Sequence, residues 1–472
     1  MFSLLKQWLG GGKDTDAPST GREAASTRAP ASASAGSTPP AHPAKPAPAT
    51  PAEAAAPNAL ELVAALGARR PLIAADGSIC GFEFQQARAL HPGARSGQHA
   101  HSAGAYASYV FTAVARVAQS GVLGLGRVPA SWLSQASRYA LGRGAYLHLQ
   151  FSAQAAQHDE ELRVFATHAP ALWAAGVRLA WDGAPVLAQA PDFVLLSQGA
   201  QALDAALAQA RHRSAGLPLW VTDLASLDDL ELALARGATC VCGALARSSA
   251  DFQQEKSGPV APEVARIGAL LRKLSTGAAN EAIVADLKAD VALAYRLLQL
   301  LGSARYAQLD VAPSVDAAVQ LLGRNALYRW LSMLLLQAAG KRPAGQALQD
   351  VALWRARTLE LFALALAQPQ PDRLFTLGLA SMLGRLLELS PMQVADALSL
   401  DEDASSALLN RDGPLWPFLA LALELEQGLA PAVADAPGQA LVRQSLIRQL
   451  GGMERVAQVG DAAWHWVAES RL

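Results

Sequence analysis

The spacing of apolar residues changes once along this chain, near residue 250, and that change limits the fold more than any other feature. Between Asn58 and Arg247 short apolar runs alternate with helical stretches. Strands are expected at 71–74, 78–84, 122–128, 145–151, 177–181, 193–196, 219–221 and 239–241, with Asp76-Gly77 as a turn between the first two. Helices are expected at 106–119, 160–175, 201–211 and 227–235. Strands alternating with helices across short turns predict an α/β unit built on a parallel sheet, open or closed as a barrel. The segment 58–247 is short for a barrel of this kind, whose usual size is about 250 residues, so trimmed elements are expected. After a polar hinge at 248–261 no strand pattern recurs. Helical spacing fills 264–274, 281–301, 314–322, 326–339, 351–366, 373–387, 391–398, 415–427 and 439–450, so 248–472 is expected to be all-α.

The first 57 residues follow neither pattern. Residues 13–57 contain no Val, Ile, Leu, Met, Phe, Trp, Tyr or Cys, and prolines interrupt their alanine runs. Such a segment cannot bury enough apolar surface to offset its ordering entropy, which predicts a disordered tether. Ahead of it, the peptide 1–12 places Phe2, Leu5 and Leu9 on one side of a helix beside Leu4 and Trp8. That amphipathic tip fits peripheral docking on a partner or membrane surface, or contact with its own domain.

With 39 Lys+Arg against 40 Asp+Glu, the formal charge of −1 excludes binding to nucleic acid by bulk electrostatics. Mean hydropathy is +0.17, yet apolar runs such as 331–336 fall far short of the roughly 20 residues that span a bilayer. Three cysteines are too few for a disulfide framework and no signal-peptide pattern opens the chain, so the expected location is cytoplasmic.

Two stretches resemble known families. Arg69-Arg70-Pro71-Leu72-Ile73, the Asp76-Gly77 turn and Gly81-Phe82-Glu83-Phe84 resemble the opening of EAL domains, the cyclic-di-GMP phosphodiesterase fold. Asp290, Leu297-Leu298, Ser303-Ala304-Arg305-Tyr306, Ser314-Val315, Ala317-Ala318, Leu321-Leu322-Gly323 and Trp330 resemble the HDOD domain, a modified relative of metal-dependent HD phosphohydrolases. Residues 374–379, 398–400 and Gly413 resemble the C-terminal part of proteins that fuse the two. The resemblance implies a fold class of α/β plus all-α, a degenerate EAL-type (TIM-like) barrel followed by an α-helical HDOD domain.

An EAL site holds two divalent ions through carboxylates and an amide at the C-terminal ends of barrel strands, and the ions generate hydroxide and neutralise the phosphate. Matched to that pattern, Glu83 takes the place of the signature glutamate and Asp182 that of the first of a pair of aspartates. The remaining positions carry Gln85, Arg127-Val128-Pro129-Ala130, His148, Gly183, Leu195, Ser197, Thr222 and Cys242. So many losses predict remnants, with Glu83 and Asp182 either chelating one ion weakly or paired with donors such as Arg69 or Arg178. Between Arg213 and Trp464 there is no histidine, although HD phosphohydrolases bind metal through several, and His465 between two tryptophans is expected to pack. Cys240 and Cys242, two apart on a strand, share a face and are expected to be packing residues, as are Trp330 and Trp354. His99 and His101 are expected in a polar loop. Gly121, Gly124 and Gly126 precede or lie in a strand, unlike a nucleotide-binding loop.

The expectation is a protein without catalytic residues, metal or cofactor, a signal-transduction scaffold whose partners are other signalling proteins. The alternative is a receptor that binds cyclic di-GMP without cleaving it, with Arg178 and Arg127 as the nearest cations for its phosphates. Residual phosphodiesterase activity is a third reading.

Overall fold

In the computed structural model, the structure describes residues 69–84, 100–182, 189–197, 203–214, 216–245, 261–301, 314–338, 342–426 and 438–469. The N-terminal peptide, the tether, the hinge at 248–260, Gln85, His99 and the 303–306 motif lie outside them.

Eight strands form one sheet: β1 (Arg70–Ala74), β2 (Ile79–Phe84), β3 (Leu123–Pro129), β4 (Ala145–Gln150), β5 (Arg178–Trp181), β6 (Val194–Ser197), β7 (Leu219–Leu224) and β8 (Cys240–Gly243). All eight expected strands are present, within a few residues at their ends. The order is β5-β4-β3-β2-β1-β8-β7-β6, a nearly closed barrel. One expectation needs correction: β1 runs antiparallel to both its neighbours, and the remaining pairs are parallel. The tight Asp76-Gly77 turn makes a hairpin of β1 and β2, since a parallel pair would need a long crossover.

Side chains alternate across the sheet. One face lines the barrel, filled by Leu72, Leu125, Ala180, Phe193, Leu195, Trp220, Cys240 and Cys242 with Cys80, Leu123 and Tyr146 at the margin. The expected packing role of the Cys240–Cys242 pair is what the structure has. The other face packs on helices α1 (Ala100–Gln119), α2 (Leu133–Ala136), α3 (Ala155–Ala174), α4 (Leu203–Ser214) and α5 (Leu227–Ala235). Gly124 and Gly126 of β3 are where α1 comes closest: a Cβ on Gly126 would lie 2.7 Å from Val110. These glycines serve packing. His101 belongs to the first turn of α1 instead of a loop.

The seam between β5 and β6 is closed by Asp192. Its backbone N–H donates to Leu179 O at 2.8 Å, and its carboxylate accepts from Leu179 N at 2.8 Å and Trp173 Nε1 at 2.9 Å. Asp192→Ala leaves two buried donors unpaired and is expected to cost about 1–3 kcal/mol. The urea midpoint of the variant measures this, and an unchanged midpoint contradicts it.

The second half comprises α6 (Pro262–Ser275), α7 (Asn280–Ala289), α8 (Val291–Leu301), α9 (Val315–Ala338), α10 (Gly345–Ala365), α11 (Pro371–Leu386), α12 (Pro391–Leu398), α13 (Glu402–Leu409), α14 (Trp416–Glu426), α15 (Gln439–Gln449) and α16 (Met453–Glu469). The helix expected over 281–301 is two, broken at Asp290 (ψ 98°), whose carboxylate caps α8 by accepting from Ala292 and Leu293 N–H. The two helices expected at 314–339 are joined across a kink at Gly323 (φ 71°). Helices α13 and α16 are additions to the sequence reading. His465 on α16 faces solvent, contrary to the packing expected of it.

The two halves share a core. The Phe82 ring meets Trp464 edge-on at 4.9 Å, Arg69 pairs with Asp461 at 3.1 Å, and Ala347 N donates to Gly77 O at 2.9 Å. Arg342 reaches from the α9–α10 connection to Glu231 of α5 at 2.9 Å. Trp330 and Trp354 are both buried, as their helical settings predict. Among the described residues no helix is long and apolar enough to cross a membrane.

Candidate functional site

The barrel mouth lies at the C-terminal ends of the parallel strands, where β-barrel sites of this kind are built. Glu83 is the last inward residue of β2 and is fully buried. A buried carboxylate must be paired or protonated, and here it is paired twice. Arg70, opposite it in the hairpin register, donates to Glu83 Oε2 from Nε at 2.9 Å and again from its terminal nitrogen. Arg127 Nε lies 3.0 Å from Glu83 Oε1, an ion pair whose N–H is not aligned as a hydrogen bond. The Cys242 thiol adds a 3.3 Å contact to Oε2. The expected partners are thus corrected: Arg69 pairs with Asp461 on the outside of the hairpin and Arg178 with Asp192, because both side chains leave the mouth.

Asp223 completes the arrangement. The β7–β8 register shifts between Val221 and Leu224, and Asp223 takes φ 61°, a conformation Asp adopts more readily than most residues. That irregularity lets two consecutive residues reach the mouth. Thr222 accepts from Arg127, while Asp223 accepts from Arg70 at 2.8 Å, from Arg127 at 2.9 Å and from the Ser197 hydroxyl. Two guanidinium groups and two carboxylates therefore alternate, each ion touching both of opposite sign, with no net charge.

Burial pushes the Asp223 carboxyl up, but Arg70, Arg127 and the Ser197 hydroxyl outweigh it and hold the group well below the ordinary carboxylate range. A depressed folded-state pKa contributes stability that is present above the unfolded value, near 4, and is lost as pH falls below it. The wild-type denaturation midpoint should therefore drop more steeply than that of Asp223→Asn as pH is lowered from about 5 to about 2. Parallel acid limbs for the two proteins would contradict this.

Asp182, the other remnant, sits on the rim with its side chain 83% exposed, 3.4 Å from His148 Nε2. The imidazole beside it lowers its carboxyl from the ordinary value. Glu83 and Asp182 share no hydrogen bond or ion pair among the described residues. The positions matched in sequence, Glu83, His148, Asp182, Ser197, Thr222 and Cys242, do gather at one mouth. Arg70 and Asp223, half of the ion cluster, are missed as site residues because neither falls on a metal-ligand position of the EAL pattern: Arg70 belongs to its opening stretch and Asp223 follows the position matched to Thr222.

The metal ions that an EAL fold implies do not fit these residues. A divalent cation needs several oxygen ligands with free lone pairs. The oxygens of Glu83 and Asp223 are taken up by guanidinium and hydroxyl donors, and an ion would have to displace Arg127 to reach Glu83 Oε1 or Arg70 to reach Oε2. Among the described residues no group of three or more His, Cys, Asp or Glu converges elsewhere.

The helical half has a second concavity, about 410 Å³, bordered by Arg324, Tyr328, Arg329, Asp372, Arg373 and Asp401. Its cations are committed internally. Arg324 donates to the carbonyls of Lys273 and Leu274 in the last turn of α6 and of Ala278 just beyond it, Arg329 pairs with Glu360 and Asp372, and Arg373 pairs with Asp401 and Asp403.

Residues 259–410 match the model of the HDOD domain family. The helical half carries an HDOD domain. Preceded by a nearly closed barrel, it has the arrangement of the EAL–HDOD fusion proteins that the sequence resembles. The chain is similar to the uncharacterized protein YuxH of Bacillus subtilis, 26% identical over 160 residues, which is 33% of this chain and 39% of that protein. It is also similar to the cyclic di-GMP phosphodiesterase CdgJ of Vibrio cholerae, 29% identical over 134 residues, 28% of this chain and 31% of that one. The chain thus matches well under half the length of either relative. Among solved structures, an EAL domain protein from Listeria monocytogenes is similar at TM-score 0.28 and 14% identity, covering 39% of this chain and 91% of that one. The YkuI protein of Bacillus subtilis, an EAL-domain protein in complex with c-di-GMP and calcium, gives TM-score 0.25 and 13% identity over 56% of this chain and 75% of that one. Likenesses this distant carry no functional argument.

Proposed function

We propose that this chain is a non-catalytic regulator in signalling related to cyclic di-GMP, acting by contact with other signalling proteins. One observation carries the reading: the carboxylates at the barrel mouth are neutralised by Arg70 and Arg127. Metal-assisted phosphodiester hydrolysis needs carboxylates available to converge on cations. The HDOD domain supports contact with partners through side chains left in solvent. Val291 and Tyr295, four residues apart on α8, are 80% and 61% exposed. Apolar side chains at that spacing present one helix face, a common way for helices to meet partner proteins.

The receptor reading draws on the same arginines, whose side chains are only 11% and 16% exposed. A dianionic dinucleotide needs cations with unspent charge, and these two already face two carboxylates. Calorimetric titration of the full chain with cyclic di-GMP separates the readings. The regulator reading expects no binding heat at protein near about 0.1 mM, whereas saturable binding favours the receptor.

A further inference from the structure

The head of Arg127 sits in a shell made of oxygen. Its Nε faces Glu83 Oε1 at 3.0 Å, its terminal nitrogens face Ser197 Oγ at 3.3 Å and Asp223 Oδ2 at 2.9 Å, and Thr222 Oγ1 also accepts from it. Three strands supply these four atoms: β2, β6 and β7. Two of the four are carboxylate oxygens and two are hydroxyls, a donor set suited to hard divalent cations such as Mg²⁺ or Mn²⁺ and ill suited to soft ones. Arg70 spans the same two carboxylates on their other side.

We propose that Arg127 is a built-in replacement for a divalent cation: its guanidinium fills an oxygen-lined cation site, and a metal ion can bind there only when that group is removed. The inference rests on the reading of the mouth as non-catalytic and adds what that reading leaves open, the identity of the residue that excludes metal. The charge balance supports it. With Arg127 in place the cluster sums to zero. Without it, Glu83 and Asp223 lose one of the two guanidinium groups that bridge them, Glu83 is left fully buried with less positive charge around it, and an incoming cation makes good that loss. Asparagine at this position removes the charge and vacates the volume of the guanidinium. Methionine keeps an unbranched stem against the barrel wall and removes only the charged head.

The test is Mn²⁺ binding to the full chain, read by electron paramagnetic resonance of the free ion, for wild type, Glu83→Gln, Arg127→Asn, Arg127→Met and the double variant Arg127→Asn with Glu83→Gln. Folding of each is checked by circular dichroism. The wild type should leave about 1 mM Mn²⁺ free, and Arg127→Asn or Arg127→Met, whichever retains the native spectrum, should bind one ion with Kd at or below about 1 mM. Adding Glu83→Gln should weaken that binding by about tenfold or more. Wild-type binding that Glu83→Gln abolishes would overturn the proposal, as would a natively folded Arg127 variant that binds no Mn²⁺. Mn²⁺ binding to the wild type without turnover removes only this inference. Hydrolysis of cyclic di-GMP by the wild type removes the functional reading beneath it.

Discussion

Glu426→Ala should destabilise the protein by about 3–5 kcal/mol, the largest effect we expect from a single charge removal. Arg355 on α10 and Glu426 at the end of α14 are 1% and 3% exposed. Their groups meet two to two, Arg355 Nε with Glu426 Oε2 at 2.7 Å and the terminal nitrogen with Oε1 at 2.9 Å. Arg355 also donates to Ser381 Oγ at 2.9 Å. Removing the glutamate leaves a guanidinium in the core with one hydroxyl and a distant carbonyl for company, and that residual charge is the origin of the cost. Replacing both members, as in Arg355→Met with Glu426→Leu, removes the charge together with its partner and should recover most of the loss. Urea denaturation of the two variants separates the cases. Equal destabilisation by the single and double variants would show that packing, not unpaired charge, dominates at this position.

Trp464→Ala should cost a similar amount, about 3–5 kcal/mol, by a different route. Its indole is 5% exposed and stacks on Trp354 of α10 at 5.3 Å and 19° between ring planes, while Phe82 of β2 meets it edge-on. Arg69 in turn lies over the Phe82 ring at 4.2 Å. One side chain therefore joins a barrel strand to the central helix of the HDOD domain. Its loss should weaken the coupling between halves as well as the core, so the expected calorimetric result is two separated transitions where the wild type has one. A single transition shifted to lower temperature would mean that the remaining contacts, Arg342 with Glu231 among them, hold the halves together unaided.

Fold class and strand placement are legible in the sequence because they rest on local periodicity. The eight strands of the first half are short apolar runs set between turns and helical stretches, and the structure moves their ends by only a few residues. Helix α16 is an addition to that reading. Its buried face, Val456, Ala457, Val459, Gly460, Ala463, Trp464 and Val467, does recur at helical spacing, so the helix is encoded in the sequence although the expected helices stop at 450. The break at Asp290 is quiet in the sequence, since a helix-capping carboxylate reads as one more polar residue between apolar ones. The candidate site divides the same way. Glu83 and Asp182 stand out by motif position. Their true surroundings depend on which long side chains turn inward on strands up to 153 residues apart. The positive φ at Asp223 has no sequence signature beyond an aspartate after a threonine, yet it places half of the negative charge in the mouth.

The central claim is that the barrel mouth carries no phosphodiesterase chemistry because its carboxylates are bound to arginines. The direct measurement is incubation of purified full-length chain with cyclic di-GMP and Mg²⁺ or Mn²⁺, with the linear dinucleotide quantified by chromatography, for wild type beside Glu83→Ala. The account predicts no product above the protein-free control for either protein. Linearisation by the wild type that Glu83→Ala stops would contradict it.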